Sequence, residues 1–95
     1  MGLEFEWDAY KARGNKRKHG VSFEEASTVF GDPLAVTIAD PLHSLEEDRF
    51  LILGESTRMR ILVVSFTDRG ARIRIISARF AARKERKDYE EGLQS

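Results

Sequence analysis

The chain has no cysteine, only two histidines and no apolar run long enough to cross a bilayer. Without cysteine, disulfides and thiolate metal sites are excluded, and nothing in the composition points to an oxidising compartment. With two histidines, few side chains titrate near neutral pH. The opening stretch, MGLEFEWDAY, carries acidic residues at positions 4, 6 and 8, so neither a secretory signal nor a membrane anchor is expected, and Glu6 breaks the N-myristoylation pattern. Repeats, low-complexity tracts and linkers are also lacking. A cytoplasmic location is the default expectation. Ninety-five residues, 41% apolar and 34% charged, suffice for one small domain over residues 1–95 with a real but thin core.

What is present changes period along the chain. LEFEW (3–7) alternates apolar and acidic residues as a short half-buried strand does. Asp8 then caps a helix over about 9–18, closed by Lys18, His19 and Gly20, with Lys11, Asn15 and Lys18 on one face. Ser22 and Glu25 stand at capping-box spacing behind Val21, which predicts a second helix over 23–30 with Phe23, Ala26 and Phe30 inward. Four strands follow at 34–40, 49–55, 58–67 and 71–79, the last two joined by a tight turn at Gly70. The segment 81–92 is a helix by propensity, ended by Gly92. The expected fold is α+β: an antiparallel meander packed against two N-terminal helices and one C-terminal helix. Leu62, Val64 and Phe66 line one side of an inner strand and Ile61 and Val63 the other, so helices are expected over one face, with a substrate, a second copy or a partner on the other.

The formal net charge of zero hides a strong segregation. Residues 31–57 hold one basic residue against six acidic ones, whereas 58–87 hold ten against two. Residues 1–30 balance, and 88–95 carry three acids and no base. The block around RIRIISARFAARKERKDYEE is therefore expected to form one continuous cationic wall facing phosphate.

FEWD with Lys11 and Asn15, then KHGVSFEEA, FGDP, HS with an acidic run into RF, LILGES, ILVVSFTDRG and RIISAR…ARKERKDYE together resemble the BrnT family, ribonuclease toxins of bacterial type II toxin–antitoxin modules. The resemblance runs over nearly the whole chain, and KHGVSFEEA and RIISAR are its most specific parts. It implies a RelE-like fold, an endoribonuclease that needs no cofactor and inhibits translation, and RNA as substrate. It also implies a cognate BrnA-like antitoxin of ribbon-helix-helix type, operator DNA bound only through that antitoxin, and either a homodimer or a toxin–antitoxin heterotetramer.

Metal-free RNA cleavage needs a base for the 2′-hydroxyl proton, cations for the phosphorane charge and an acid for the leaving oxygen. Together with the resemblance, the residues suggest His19, Arg79 and Glu85 for catalysis, and Lys18, Arg49, Arg74, Arg83 and Arg86 for phosphate. His43 and Tyr89 are further candidates. Each has a structural alternative. Arg79 falls on the core face by strict alternation from Ile73 and Ile75, unless a bulge near Ile75 and Ile76 reverses it, and it could simply pair with Glu85. His19 could be a capping cation, His43 a surface residue in an acidic loop, Tyr89 a ring packed on the sheet, and Trp7 part of the core. No paired ligand spacing supports a metal at His43, Asp40, Glu46 and Glu47. The competing function is a non-catalytic module that binds nucleic acid or antitoxin, including a degenerate toxin.

Overall fold

The computed structural model describes residues 2–42 and 48–92. The chain runs through β1 (Glu4–Glu6), α1 (Ala9–His19), α2 (Phe23–Thr28), a 3₁₀ turn (Val29–Gly31), β2 (Val36–Ala39), β3 (Arg49–Glu55), β4 (Ile61–Arg69), β5 (Arg72–Phe80) and α3 (Arg83–Glu91). The five strands form one sheet in the order β1-β5-β4-β3-β2. The last four strands make the expected antiparallel meander, and β1 joins its edge parallel to β5.

Local chemistry accounts for the helix ends. Asp8 accepts the Lys11 amide at 3.0 Å and opens α1, and Gly20 closes it at φ 75°, a left-handed conformation that glycine adopts without steric cost. Ser22 accepts the Glu25 amide at 3.0 Å, but only half of the capping box forms, because the Glu25 carboxylate turns inward to Ser56 and Arg60 instead of back to the cap. β4 starts three residues later than expected. Residues 56–60 form a tight turn in which Met59 takes φ 63°, with Met59 N–H donating to Ser56 and Ser56 N–H to Arg60.

α1 and α2 lie over one face of the sheet. Val21, Phe23, Ala26 and Val29 pack there against Ile52, Leu62, Val64, Phe66, Ile75 and Ala78. Phe30 meets Phe66 at 4.9 Å between ring centres, and Trp7 meets Phe23 edge-on at 6.0 Å, in keeping with Trp7 as part of the core. The expectation of helices on one face only is corrected by α3. It crosses the opposite face, where Glu85 and Asp88 border a groove floored by Val36, Leu51, Leu53 and Val63. The apolar residues of that second face, Val63 among them, supply the reason: left bare they would expose a contiguous patch to water.

Candidate active site

The direction of Arg79 is decided by one extra residue in β5. Ser65 pairs with Ser77 and Phe66 with Ile75, so Ile76 has no partner and the strand bulges. Beyond the bulge the alternation is reversed. Ala78, opposite Val64, points into the core, and Arg79, opposite Val63, points to the face that α3 crosses.

Register then aligns side chains across that face in rows, because directly paired residues project to the same side. One row is Glu6, Arg74, Thr67 and Arg49; the next contains Ser77, Ser65 and Leu51; the third Arg79, Val63 and Leu53. Two arginines thus flank a threonine, with serines beside them. Thr67 is only 5% exposed, and its hydroxyl has no hydrogen-bond partner among the described residues. A buried polar group left unpaired costs about 1–3 kcal/mol, so this hydroxyl is a feature the fold tolerates at a loss.

The continuous cationic wall expected from residues 72–91 is corrected by the partners these arginines hold. Arg74 reaches Glu6 at 3.2 Å, and Arg72 lies 3.4 Å from Glu4 and 3.6 Å from Glu6. Arg79 forms a bidentate pair with Glu85 at 2.8 and 3.0 Å. Glu85 also accepts the Ala82 amide at 2.7 Å, so one carboxylate both starts α3 and orients Arg79. The Arg79 guanidinium holds the Glu85 carboxyl below its usual range, and Glu85 in turn raises Arg79. Arg83 and Arg86 are exposed on the outer side of α3 and form no ion pair among the described residues.

Tyr89 does more than pack its ring. Its hydroxyl donates to Asp32 at 2.5 Å, and burial together with that carboxylate pushes the phenol up to about 12. Asp32 also accepts the amides of Leu34 at 2.9 Å and Glu55 at 2.8 Å. Burial raises its carboxyl, but these three donors outweigh it and the net shift is downward. Lys18 and His19 belong to the other layer. They end α1 on the core side, Lys18 exposed and His19 half-buried, and the fold does not bring them to the row of Arg49 and Arg74. His43, Glu46 and Glu47 lie outside the described residues.

Three features were missed in the sequence. Thr67 was legible only as the end of a strand; its place between two arginines comes from register. Asn15, placed with Lys11 and Lys18 on one helix face, is 8% exposed, and its amide bonds Val21 and Ala78 at 2.9–3.1 Å. Glu25 is buried against Ser56 at 2.7 Å and Arg60 Nε at 2.8 Å, and this Arg60 contact holds its carboxyl low. The partners lie 31 and 35 residues away, beyond the reach of any local pattern.

With this geometry the chain can be set beside known proteins. The family model described as "Ribonuclease toxin, BrnT, of type II toxin-antitoxin system" matches residues 7–85. The chain belongs to the BrnT family. It is also similar to the crystal structure of the Brucella abortus ribonuclease toxin, BrnT, with a TM-score of 0.67 and 25% identity, over 86% of this chain and 100% of that one. A comparison with curated proteins gives no match. The BrnT match takes in Lys18, His19, Arg49, Thr67, Arg74, Arg79, Arg83 and Glu85 and ends before Arg86 and Tyr89. It begins after Glu6, so the carboxylate that pairs with Arg74 lies outside the part shared with the BrnT model. A type II BrnT toxin has RNA as its substrate class and an antitoxin as its partner class. Among the described residues, no helix is long and apolar enough to cross a membrane.

Proposed function

We propose that this chain is a metal-independent endoribonuclease of the cytoplasm that inhibits translation by cleaving RNA on the sheet face crossed by α3. The observation that carries this reading is the row Arg49, Thr67 and Arg74, in which a buried hydroxyl without a partner among the described residues lies in register between two arginines. A phosphate oxygen there accepts from the hydroxyl and from both flanking cations, which satisfies a buried hydroxyl that has no partner among the described residues. The pair of Arg72 with Glu4 is exposed and a weak competitor, since such pairs contribute about 0–1 kcal/mol, whereas Arg74 and Glu6 are half-buried and the phosphate must take the place of that carboxylate.

Arg79 is the cation proposed for the phosphorane, presented by the planar fork of Glu85. When Arg79 turns to the phosphate, Glu85 loses the contact that depresses its carboxyl and becomes a better proton acceptor. The 2′-oxygen bonds to phosphorus, its proton passes to Glu85, the bond to the 5′-oxygen breaks, and that oxygen takes a proton from solvent. The products are a 2′,3′-cyclic phosphate and a 5′-hydroxyl. Arg83 and Arg86 extend the anion-binding surface along α3. His19 and Lys18 lie outside this face and have no assigned step. In the resting module a BrnA-like ribbon-helix-helix antitoxin covers the toxin, in a heterotetramer that meets operator DNA only through the antitoxin.

The test is incubation of antitoxin-free protein with RNA in EDTA, with and without ribosomes. Cleavage to cyclic-phosphate or 3′-phosphate ends is expected, reduced about 100-fold or more in Arg79→Ala, the scale for losing one oriented donor to a transition-state charge. Intact RNA under both conditions would leave only the binding-module reading.

A further inference from the structure

Ion pairs consume part of the formal charge along the chain, so the fold leaves its cations available at places other than residues 58–87 alone. Glu4 and Glu6 are taken up by Arg72 and Arg74, Glu25 by Arg60, and Asp8 by the Lys11 amide. These are four of the five acids that neutralise residues 1–30 on paper. α1 itself, AYKARGNKRKH, carries Lys11, Arg13, Lys16, Arg17 and Lys18 and no acidic residue. None of these five cations makes an ion pair within 4.0 Å among the described residues. The β5 arginines Arg72, Arg74 and Arg79 are paired and the α1 cations are not, so α1 gives the core-side layer an exposed positive surface that no ion pair among the described residues neutralises.

That surface is shaped as well as charged. α1 and α2 enclose a groove of about 480 Å³, with Trp7, Ala12 and Phe23 as an apolar wall and Arg13, Lys16 and Arg17 along the rim, where Glu24 is the single carboxylate. Trp7 is half-buried: Phe23 meets the indole edge-on while part of the residue stays accessible. Cations spaced along one helix beside an accessible aromatic ring are the elements by which proteins hold single-stranded nucleic acid, the cations following phosphates and the ring taking a base.

We propose that the groove between α1 and α2 is a second RNA-contacting surface, in which a single strand lays its phosphates along Arg13, Lys16 and Arg17 and stacks a base on Trp7. It rests on RNA being the substrate class but not on the chemistry assigned to Arg79, from which it is separated by the thickness of the sheet. Substrate held at two faces is thereby wrapped around the β1 and β5 edge, and affinity is supplied by residues that take no part in bond breaking.

Trp7 is the only tryptophan in the chain, so its emission reports on this groove alone. The probe is a short single-stranded RNA with 2′-O-methyl groups, which removes the attacking hydroxyl and prevents turnover. Saturable quenching of Trp7 is expected, retained in Arg79→Ala and lost in Arg13→Ala/Lys16→Ala/Arg17→Ala. Alanine at exposed helical positions keeps helix propensity, and circular dichroism together with the single variant Lys16→Gln guards against a folding artefact. Each phosphate contact to a single strand contributes about 0.7 to the slope of log affinity against log salt, so the triple variant should lower that slope by about 2. RNA bound with unchanged Trp7 emission, or an unaltered slope in the triple variant, overturns the proposal. Equal quenching by polyglutamate overturns it in favour of an acidic protein partner. Quenching that persists in a protein showing no cleavage sinks the reaction proposed above and leaves this surface standing.

Discussion

Asn15 sits on a helix whose neighbouring polar residues face water, yet its side chain takes the place of a strand peptide. β1 pairs with β5 only as far as Arg74, and further along the edge the Ala78 N–H and C=O would have no strand to meet. The Asn15 amide meets both, accepting from one at 3.1 Å and donating to the other at 2.9 Å, and also bonds the Val21 carbonyl. Because a buried backbone group without a partner costs about 1–3 kcal/mol, Asn15→Ala should lower stability by on the order of 3 kcal/mol. Urea denaturation checks this, and a variant as stable as the parent would mean that water replaces the amide. Sequence showed Asn15 as one member of a stripe with Lys11 and Lys18. Only the distance to residue 78 separates it from them.

At the scale of elements, α3 is fastened to the second face at two ends, by Arg79 with Glu85 and by Tyr89 with Asp32. The phenol is pushed from 10.0 to about 12, so the folded state favours its protonated form. That stabilisation is complete below pH 10 and is lost as the pH rises through about 12. Alkaline titration should therefore release α3 in that window, seen as loss of helical signal together with phenolate absorbance, and Tyr89→Phe should lack the linked transition. A hydrogen bond to a charged group contributes about 1.5–3 kcal/mol, and the variant should lose a similar amount at neutral pH. The helix itself was legible from propensity and Gly92, and its layer was not. Alternation along β4 showed that both faces hold apolar residues, but which helix covers which face depends on the path of the chain after Phe80. Ile76 is a parallel case: alternation assigned Arg79 to the core, and a single unpaired residue reversed it.

For the molecule as a whole, acid is the sensitive direction. Glu25 is held low by Arg60 and Glu85 by Arg79, while at Asp32 burial is outweighed by the donors from Tyr89, Glu55 and Leu34. Each carboxyl titrates lower in the fold than in the unfolded chain. Its stabilisation is therefore complete above the ordinary value, 4.5 for the glutamates and 3.8 for the aspartate, and disappears as the pH falls through the depressed values. Midpoints of urea denaturation should be flat from pH 8 to about 5 and fall steeply below about 4.5. Glu25→Gln should flatten that fall and lower stability at neutral pH, because it leaves the Arg60 charge half-buried over the Phe80 ring without its carboxylate. A fall of unchanged steepness in Glu25→Gln would place the acid-sensitive groups elsewhere.

Periodicity, capping residues and turn chemistry are local, so the sequence by itself determined the α+β class, the order of its elements and, through long motifs such as KHGVSFEEA and RIISAR, its likeness to a toxin family. Which charges remain exposed is not a local property. Glu6 neutralises Arg74 from 68 residues away, Glu25 holds Arg60 from 35, and Thr67 falls between Arg49 and Arg74 only because three strands align in one register. Coulomb and hydrogen-bond energies depend on distance through space. Only the tertiary structure, which sets those distances, decided which cations have no ion pair and which hydroxyl has no partner among the described residues.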